Sequence, residues 1–339
     1  MYLSSFAHSA NQLAEYTNGN HTVTIYEDGT KVKSTIDPSD EYFTYEFPEN
    51  FDLKINDRCS AGCQFCHENS TSNGKVPSLA DFVLSPLYKS IKSGTEMAIG
   101  GGNIFESREL SILLFANKKR NIISNITINQ KHLSKNFEIL KMWVKKKLVH
   151  GIGISLGDYT NQLERRMILN LSPNVVVHTI VGLLDINSKA LDFIKDMKVL
   201  FLGYKNLRRG EDYLIANQIK IDENVSKLKK FLADRENLGR YFKTLSFDCL
   251  AIKQLDLKEM GIVSQKEWGQ YFQGDDYDIT DEKGNITCAT MYIDLPNKRV
   301  ARTSTEVARH AFEYTDSIQD LFKRSTIIFT QRTNNEYPL

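Results

Sequence analysis

The amino-acid sequence predicts an α/β protein built around a parallel β-sheet, and two observations support this fold class. Short apolar runs and amphipathic segments alternate about six times between residues 49 and 253, a pattern typical of parallel strands joined by crossover helices. The chain has 339 residues, 41% hydrophobic and 25% charged, as expected for a soluble globular protein. This length suits either two average domains or one large α/β barrel.

Seven apolar runs are predicted to be the strands of this sheet. They are residues 51–55, 96–99, 125–128, 151–155, 175–181, 199–203 and 245–250. The segments between them predict helices, and Ser78, Ser107 and Ser134 stand where the N-caps of the first three helices are expected. A longer helix precedes the seventh run, because Val225, Leu228, Phe231 and Leu232 recur at helical spacing.

The two ends of the chain depart from this alternation. In residues 1–48, two β-rich runs flank Asp28-Gly29, which predicts an N-terminal β-hairpin appendage. Residues 254–339 predict a C-terminal α+β extension, with a hairpin across Pro296-Asn297 and a helix over 317–322. The sequence therefore divides into an appendage (1–48), a central α/β domain (49–253) and an extension (254–339) that caps or flanks it.

Charge and cysteine content argue against several function classes. The formal net charge is +1, so the sequence carries no strong nucleic-acid-binding signature. We expect no signal peptide and no membrane association, since the apolar stretches are too short to span a bilayer. Five cysteines, of which three are clustered, do not form a disulfide framework. We therefore expect a reducing, cytoplasmic location.

The most informative motif is C-S-A-G-C-Q-F-C, directly after the first predicted strand. It places Cys59, Cys63 and Cys66 at CX3CX2C spacing. Iron–sulfur clusters normally take four thiolates, so three would leave one iron of a [4Fe–4S] cluster open to another ligand. Two other interpretations stay open: a zinc site in which His67 completes a Cys3His set, and three unrelated thiols.

The spacing of these cysteines, with Phe65 before the third, resembles the cluster loop of the radical S-adenosylmethionine (SAM) superfamily. A cysteine loop after the first of six βα units is also similar to that superfamily's partial (β/α)6 TIM-like barrel, whose chemistry lies at the C-terminal ends of the strands. The resemblance covers residues 50–250, and more loosely the whole chain resembles small members often carried by bacteriophages. It implies a [4Fe–4S] cluster, SAM, and a flavodoxin- or ferredoxin-type electron donor.

The same resemblance assigns a glycine run to SAM. Gly100, Gly101 and Gly102 follow the second predicted strand, where the superfamily has a Gly-Gly-Glu-type motif whose carbonyl groups receive the SAM ammonium group. Glycine suits this contact because it lets the backbone come close to a ligand. A glycine replaces the acid here, so a side-chain contribution from that position is missing. A plain turn is the alternative interpretation.

Two further residues, Ile180 and Ser155, are assigned to SAM by weaker matches. Ile180 matches the superfamily's G-x-I-x-G-x-x-E segment beside the SAM adenine, although His178 replaces the first glycine and Asp185 the acid. A buried strand ending in a glycine turn would explain that run equally well. Ser155, which ends the fourth predicted strand, is placed to bind the SAM ribose or carboxylate, or is a satisfied strand-end serine.

Four residues are candidates for the substrate side of the site. His67 follows the cysteines, Lys205 follows the sixth predicted strand, and Asp248 lies in the seventh strand beside Cys249. A lysine and an aspartate at a barrel mouth could anchor a polar substrate, or each could be half of a structural ion pair. Cys249 could donate a hydrogen atom to a substrate radical, although Cys249 and Cys288 are most simply buried small hydrophobes.

The resemblance implies that a reduced cluster transfers an electron into SAM and that the resulting 5′-deoxyadenosyl radical abstracts hydrogen from a substrate. No motif identifies that substrate. The loose phage resemblance favours a nucleoside or nucleotide slightly, with a peptide side chain as the alternative. Two rival hypotheses are a zinc-binding interaction module using the same three cysteines, and a non-catalytic cluster protein that binds ligands or carries electrons.

Overall fold

The computed structural model describes residues 10–40, 43–261, 264, 289–306 and 309–332, so Cys288 lies outside the described residues. The strands are β1 (Gln12–Asn18), β2 (His21–Tyr26), β3 (Lys31–Thr35), β4 (Asn50–Lys54), β5 (Glu96–Gly100), β6 (Ile123–Asn129), β7 (Gly151–Ser155), β8 (Val175–Ile180), β9 (Met197–Leu202), β10 (Phe242–Phe247), β11 (Thr290–Asp294), β12 (Arg299–Ala301) and β13 (His310–Ala311). The helices are α1 (Leu79–Leu84), α2 (Pro86–Lys89), α3 (Leu110–Lys119), α4 (Leu133–Lys145), α5 (Gln162–Leu171), α6 (Ser188–Ile194), α7 (Arg209–Ala233), α8 (Arg235–Tyr241), α9 (Cys249–Gln254) and α10 (Ile318–Arg332). None of these described helices is long and apolar enough to cross a bilayer.

The central element is a large, mainly parallel sheet, which confirms the predicted α/β class. Strands β4 to β10 lie side by side in chain order, and each neighbouring pair is parallel. All seven runs predicted as strands fall on these seven strands. The last run was predicted three residues too far along the chain, because β10 ends at Phe247 and Asp248 caps the next helix. Since the strands are parallel, the loops that leave their C-terminal ends share one edge of the sheet.

An eighth parallel strand comes from the C-terminal part of the chain. β11 pairs with β4 in parallel, and β12 and β13 continue the sheet in antiparallel order. The predicted hairpin across Pro296-Asn297 is confirmed as the β11–β12 pair. As a result, β4 is flanked by β5 on one side and by β11 on the other.

Apolar packing against the sheet fixes the helices, and local turns decide where they begin. On α4, Leu133, Leu140 and Trp143 are buried at helical spacing, and each such side chain contributes about 1.5–3 kcal/mol. The cap at Ser78 is confirmed, because its hydroxyl accepts a hydrogen bond from the Asp81 N–H at 3.1 Å.

The caps predicted at Ser107 and Ser134 are wrong. Ser107 ends a short 3₁₀ turn, and α3 begins only at Leu110. A 3₁₀ turn over Gln130–His132 runs directly into α4, so this helix begins at Leu133 and Ser134 lies inside it. In both places an asparagine, Asn103 or Asn129, caps the extra turn with its side chain, so the predicted serine is not needed as the cap.

The N-terminal strands form a separate three-stranded antiparallel sheet. The predicted hairpin around Asp28-Gly29 is confirmed as β2–β3, whereas β1 was not predicted. This sheet packs against the N-terminal edge of the parallel strands, where Val23 and Ile25 meet Ile123, and Lys31 Nζ lies 2.5 Å from Glu96 Oε2. It therefore covers the edge opposite the cysteine-bearing loop.

A buried carboxylate fastens the small sheet to the start of β4. Glu49 is fully buried; its Oε1 lies 2.6 Å from His21 Nε2 and its Oε2 lies 3.0 Å from Lys33 Nζ. Burial alone would raise the pKa of Glu49, but the hydrogen bond from His21 and the charge of Lys33 outweigh it. The pKa of Glu49 is therefore below its ordinary value of 4.5.

Removing this carboxylate is expected to weaken the fold in a pH-dependent way. Because the folded-state pKa is lowered, ionised Glu49 stabilises the fold above about pH 4.5 and the contribution is lost as the pH falls further. Glu49→Gln should lower the free energy of unfolding by about 2 kcal/mol at neutral pH, and the difference from wild type should shrink in acid. Urea unfolding at neutral and acidic pH measures this, with Glu138→Gln on the exposed face of α4 as the control. An equal difference at both pH values would contradict it.

Candidate functional site

The cysteine loop, residues 57–71, leaves the C-terminal end of β4 and is closed by its own backbone. The Thr71 N–H donates to the Asp57 carbonyl at 3.0 Å, and the Cys59 N–H donates to the Thr71 carbonyl at 2.8 Å. Inside the loop, the Cys66 N–H donates to the Cys63 carbonyl at 3.3 Å. The two ends of the loop are thus held together by main-chain hydrogen bonds, independently of any side chain.

The three thiols are half-buried and free, and two of them, Cys59 and Cys63, contact polar groups. The Ala61 N–H donates to Cys59 Sγ at 3.4 Å, and Asn129 Nδ2 donates to Cys63 Sγ at 3.6 Å. His132 Nε2 lies 3.7 Å from Cys59 Sγ. Polar donors on sulfur are the contacts that orient and tune metal-bound thiolates. Among the described residues, no three His, Cys, Asp or Glu side chains converge on one point as the ligands of a single ion would.

Neighbouring charges act on the central thiol in opposite directions. Burial raises the pKa of the Cys63 thiol, Lys131 lowers it, and the adjacent Cys66 and Cys59 raise it further. Lys131 is fixed to the cysteine loop, because its Nζ donates to the Ala61 carbonyl at 2.8 Å. The thiol is therefore protonated at neutral pH, and binding of a metal would have to displace that proton.

The glycine turn, Gly100 to Gly102, lies beside the cysteine loop at the end of β5. Gly101 has a φ of +117°, which favours glycine. A Cβ on Gly102 would lie 2.3 Å from the Arg58 carbonyl oxygen, so the backbone of the cysteine loop requires glycine there. Gly100 is different: its φ is not positive, and no protein atom lies within 4 Å of the Cβ position. Packing within the protein does not require a glycine at Gly100.

Asn56, which sequence reasoning missed, joins these two loops. It is fully buried between β4 and the cysteines. Its carbonyl accepts the Gly102 N–H at 2.8 Å, and its Nδ2 donates to the Asn103 carbonyl at 3.0 Å. Its Oδ1 also accepts the Arg58 N–H at 3.1 Å. An asparagine directly after a buried strand is a recognisable signal for such a bridge, because its amide both donates and accepts.

The remaining residues assigned to SAM lie at the same edge of the sheet. Ser155 is the last residue of β7 and Ile180 the last residue of β8, and Ser155 is paired with His178 in the register. The Phe65 ring packs edge-to-face on Tyr213 of α7, with 5.8 Å between the ring centroids. The structure thus brings the cysteines, the glycine turn and both strand ends to one edge.

Two of the substrate-side candidates meet each other. Lys205 Nζ lies 3.5 Å from His67 Nε2 and donates to Ser304 Oγ at 2.8 Å. Burial and the neighbouring Lys205 ammonium lower the pKa of His67, against the opposing effect of Glu68. His67 Nε2 is also 3.4 Å from Glu68 Oε1. Among the described residues, Lys205 has no carboxylate within ion-pair distance.

The other two candidates lie at the start of α9. Asp248 was predicted inside a strand, but its Oδ1 accepts hydrogen bonds from the N–H groups of Gly203 at 2.9 Å and Ala251 at 2.7 Å. Burial raises the pKa of Asp248, against these two hydrogen bonds and the charge of Lys205. Cys249, the first residue of α9, is half-buried with a free thiol. Asp248 therefore has an evident structural task, as the helix cap that anchors α9 to β9.

Comparison with solved structures shows a shared fold. SuiB from Streptococcus suis matches 93% of this chain and 88% of its own length at 12% identity and a TM-score of 0.56. SuiB bound to precursor peptide SuiA matches 86% of this chain and 68% of its own length at 14% identity and a TM-score of 0.52. Native anSMEcpe with bound AdoMet and a Cp18Cys peptide matches 85% of this chain and 84% of its own length at 12% identity and a TM-score of 0.53. No protein-family model and no curated protein matches the chain.

Alanine is expected to destabilise the protein at one end of the glycine turn and to leave its stability almost unchanged at the other. Gly102→Ala forces a Cβ against the Arg58 carbonyl, and should lower the free energy of unfolding by about 1–3 kcal/mol. Gly100→Ala meets open space and should change the free energy of unfolding by less than about 1 kcal/mol. Urea unfolding of the two variants measures the contrast. Equal destabilisation would contradict the packing described for the turn.

Proposed function

We propose that this chain is a radical SAM enzyme whose substrate is a peptide. The observation that carries the proposal is the set of three half-buried thiols on a loop closed by its own backbone, beside a glycine turn. Thiols with N–H donors directed at sulfur fit a [4Fe–4S] cluster. SuiB has also been solved bound to S-adenosylmethionine, and anSMEcpe with bound AdoMet, so the shared fold is one that binds this cofactor.

Cys59, Cys63 and Cys66 would hold the cluster, which would supply the electron for cleaving SAM into methionine and a 5′-deoxyadenosyl radical. The open space over Gly100 supports the placement of SAM, because neither backbone conformation nor packing explains the missing side chain at that position. Close approach of a ligand to the backbone explains it. Asn56 holds the glycine turn against the cysteine loop, which fixes the position of these two parts of the site relative to each other.

The remaining cofactor residues follow from the position of the strand ends. Ser155 and Ile180 would line the SAM site at the ends of β7 and β8, and Phe65 would support the cysteine loop from the side of α7. In this proposal, β4 to β9 and their helices form the partial (β/α)6 barrel. Strands β1 to β3 cover its N-terminal edge, and β11 to β13 continue its sheet beside β4.

A peptide substrate is favoured over the nucleoside-type substrate toward which the sequence leaned. SuiB has been solved with precursor peptide SuiA and anSMEcpe with a Cp18Cys peptide. In this chain, Lys205 and His67 would face the substrate, since they lie together at the end of β9 and beside the cysteine loop. Lys205 has neutral partners there and could receive a peptide carboxylate. Asp248 would position α9, and Cys249 would be the candidate hydrogen donor.

The implied partners follow from the chemistry. A low-potential flavodoxin or ferredoxin would reduce the cluster, and a reducing cytoplasm would protect it.

The zinc alternative is less well supported, because His67 Nε2 lies against Glu68 and Lys205 rather than against the cysteines. Iron and zinc analysis of the purified protein separates the two ideas. A colourless protein with zinc and without iron would support the interaction module.

Loss of one cysteine is expected to abolish SAM cleavage. Anaerobically reconstituted wild-type protein, given dithionite and SAM, should form 5′-deoxyadenosine, and Cys63→Ser should form at least about a hundredfold less because one iron loses its ligand. The product is measured by liquid chromatography and mass spectrometry. Cys288→Ser, which changes a cysteine outside the CX3CX2C motif, is the control and should keep SAM cleavage. Equal product from Cys63→Ser and wild type would contradict the proposal.

Alanine at Gly100 is expected to separate SAM binding from folding. The new methyl group would occupy the open space over the turn, and should weaken SAM binding by at least about tenfold, equivalent to 1.4 kcal/mol. Calorimetric titration of the reconstituted variant with SAM measures the dissociation constant, and its iron content shows that the cluster is intact. Wild-type SAM affinity in Gly100→Ala would place SAM elsewhere.

A further inference from the structure

Lys54, the last residue of β4, is a buried cation that contacts both ends of the cysteine loop. Its side chain is 3% exposed, and its Nζ lies 2.5 Å from Asp57 Oδ1 and 2.8 Å from Glu68 Oε2. Asp57 stands two residues before Cys59, and Glu68 stands two residues after Cys66. One ammonium group therefore bridges the entry and the exit of the segment that carries the three thiols.

The same cation reaches a strand that comes more than two hundred residues later. Asp294, the last residue of β11, places Oδ2 3.5 Å from Lys54 Nζ. Tyr292, also on β11, lies with its hydroxyl 3.1 Å from each Glu68 oxygen and donates to that carboxylate. Arg309 completes the group, with Nη1 3.0 Å from Asp294 Oδ2 and its guanidinium over the Tyr292 ring. The exit of the cysteine loop is thus fastened to β11.

Burial makes the members of this network depend on one another. The side chains of Lys54 and Asp294 are 3% and 2% exposed, and those of Arg309 and Glu68 are 8% and 10% exposed. Charges removed from water are tolerated only while their partners stay in place, and removal of one partner leaves the others uncompensated. Moving Glu68 away from Lys54 and Tyr292 therefore costs free energy. Because Glu68 is only two residues from Cys66, the same contacts restrain the backbone next to that thiol.

The stem of Lys54 also meets the glycine turn. A Cβ on Gly101 would lie 3.0 Å from Lys54 Cγ, so the turn passes directly over this side chain. Lys54 consequently touches the cysteine loop through its ammonium group and the glycine turn through its methylene groups.

We infer that Lys54 and the Tyr292 hydroxyl are positioning residues that hold the cysteine loop in its closed shape, and that they do so without a bound cluster. Their effect on cluster assembly rests on the function proposed above; their effect on the loop does not. The inference makes β11 part of the site, although it stands far from the cysteines in the sequence. Sites whose ligands are fixed by surrounding contacts bind without having to order the loop first.

The test is the reactivity of the thiols in metal-free protein. Chelator-treated protein is exposed to iodoacetamide under native conditions, and the alkylation rate of each cysteine is followed by mass spectrometry. Lys54→Met should accelerate alkylation of Cys59, Cys63 and Cys66 at least about tenfold, as expected when a charged hydrogen bond is lost. The rate at Cys249, in α9, should not change.

Tyr292→Phe gives a milder variant with a matched control. It removes one hydroxyl while the ring stays, and should accelerate the three loop thiols at least about threefold. Tyr88→Phe removes another buried hydroxyl, which donates to Asn117 Oδ1 at 2.9 Å, and should leave all four rates unchanged. If Lys54→Met does not fold, the alkylation rates of the loop thiols in Tyr292→Phe and Tyr88→Phe are sufficient to test the inference.

Three results would be decisive. Unchanged loop rates in Tyr292→Phe would overturn the inference, and so would an equal acceleration at Cys249, which reports loss of global stability. After reconstitution, Lys54→Met should hold less than half the iron of wild type, and wild-type iron content would overturn the link to assembly. If wild-type protein takes up no iron but the thiol rates differ as expected, the proposed function fails while the positioning role stands.

Discussion

The closure of the cysteine loop is the constraint on which the rest of the site depends. Two main-chain hydrogen bonds between Thr71 and the segment from Asp57 to Cys59 bring the loop ends together. The closed loop carries the three thiols and lies against the glycine turn, because the N–H groups of Gly102 and Asn103 donate to the carbonyls of Asn56 and Arg58. The buried charges around Lys54 reinforce the same closure from the side of β11. A site with three fixed thiols and a free neighbouring space is suited to a cluster with one open iron.

The parallel sheet explains why these parts meet. Because β4 to β10 run in one direction, every loop after a strand emerges at the same edge. The opposite edge is covered by the N-terminal sheet, which Glu49 ties to β4. The cysteine loop, the glycine turn, Ser155 and Ile180 therefore share an edge although they span more than a hundred residues of sequence.

The sequence predicted the elements with strong local signals. Strands such as β5, β8 and β9 alternate buried with half-buried residues and read as short apolar runs in the sequence, which is the local signal by which the strands were found. β1 was missed because its residues, QLAEYTN, are largely polar. Asp248 was predicted inside a strand although it caps α9, because a helix cap and a strand end look alike in sequence. The cysteine and glycine motifs were visible for the same local reason. The network of Lys54, Glu68 and Tyr292 was not, since its members lie far apart in the chain and no short pattern joins them.

The central claim is that the three thiolates hold a cluster whose open iron binds SAM. The most direct measurement is the electron paramagnetic resonance spectrum of the anaerobically reconstituted, dithionite-reduced protein, recorded with and without SAM. The account predicts the signal of a reduced [4Fe–4S] cluster whose g values change when SAM is added. A spectrum that is the same with and without SAM, or the absence of a cluster signal in protein that has folded and been loaded with iron and sulfide, would contradict it.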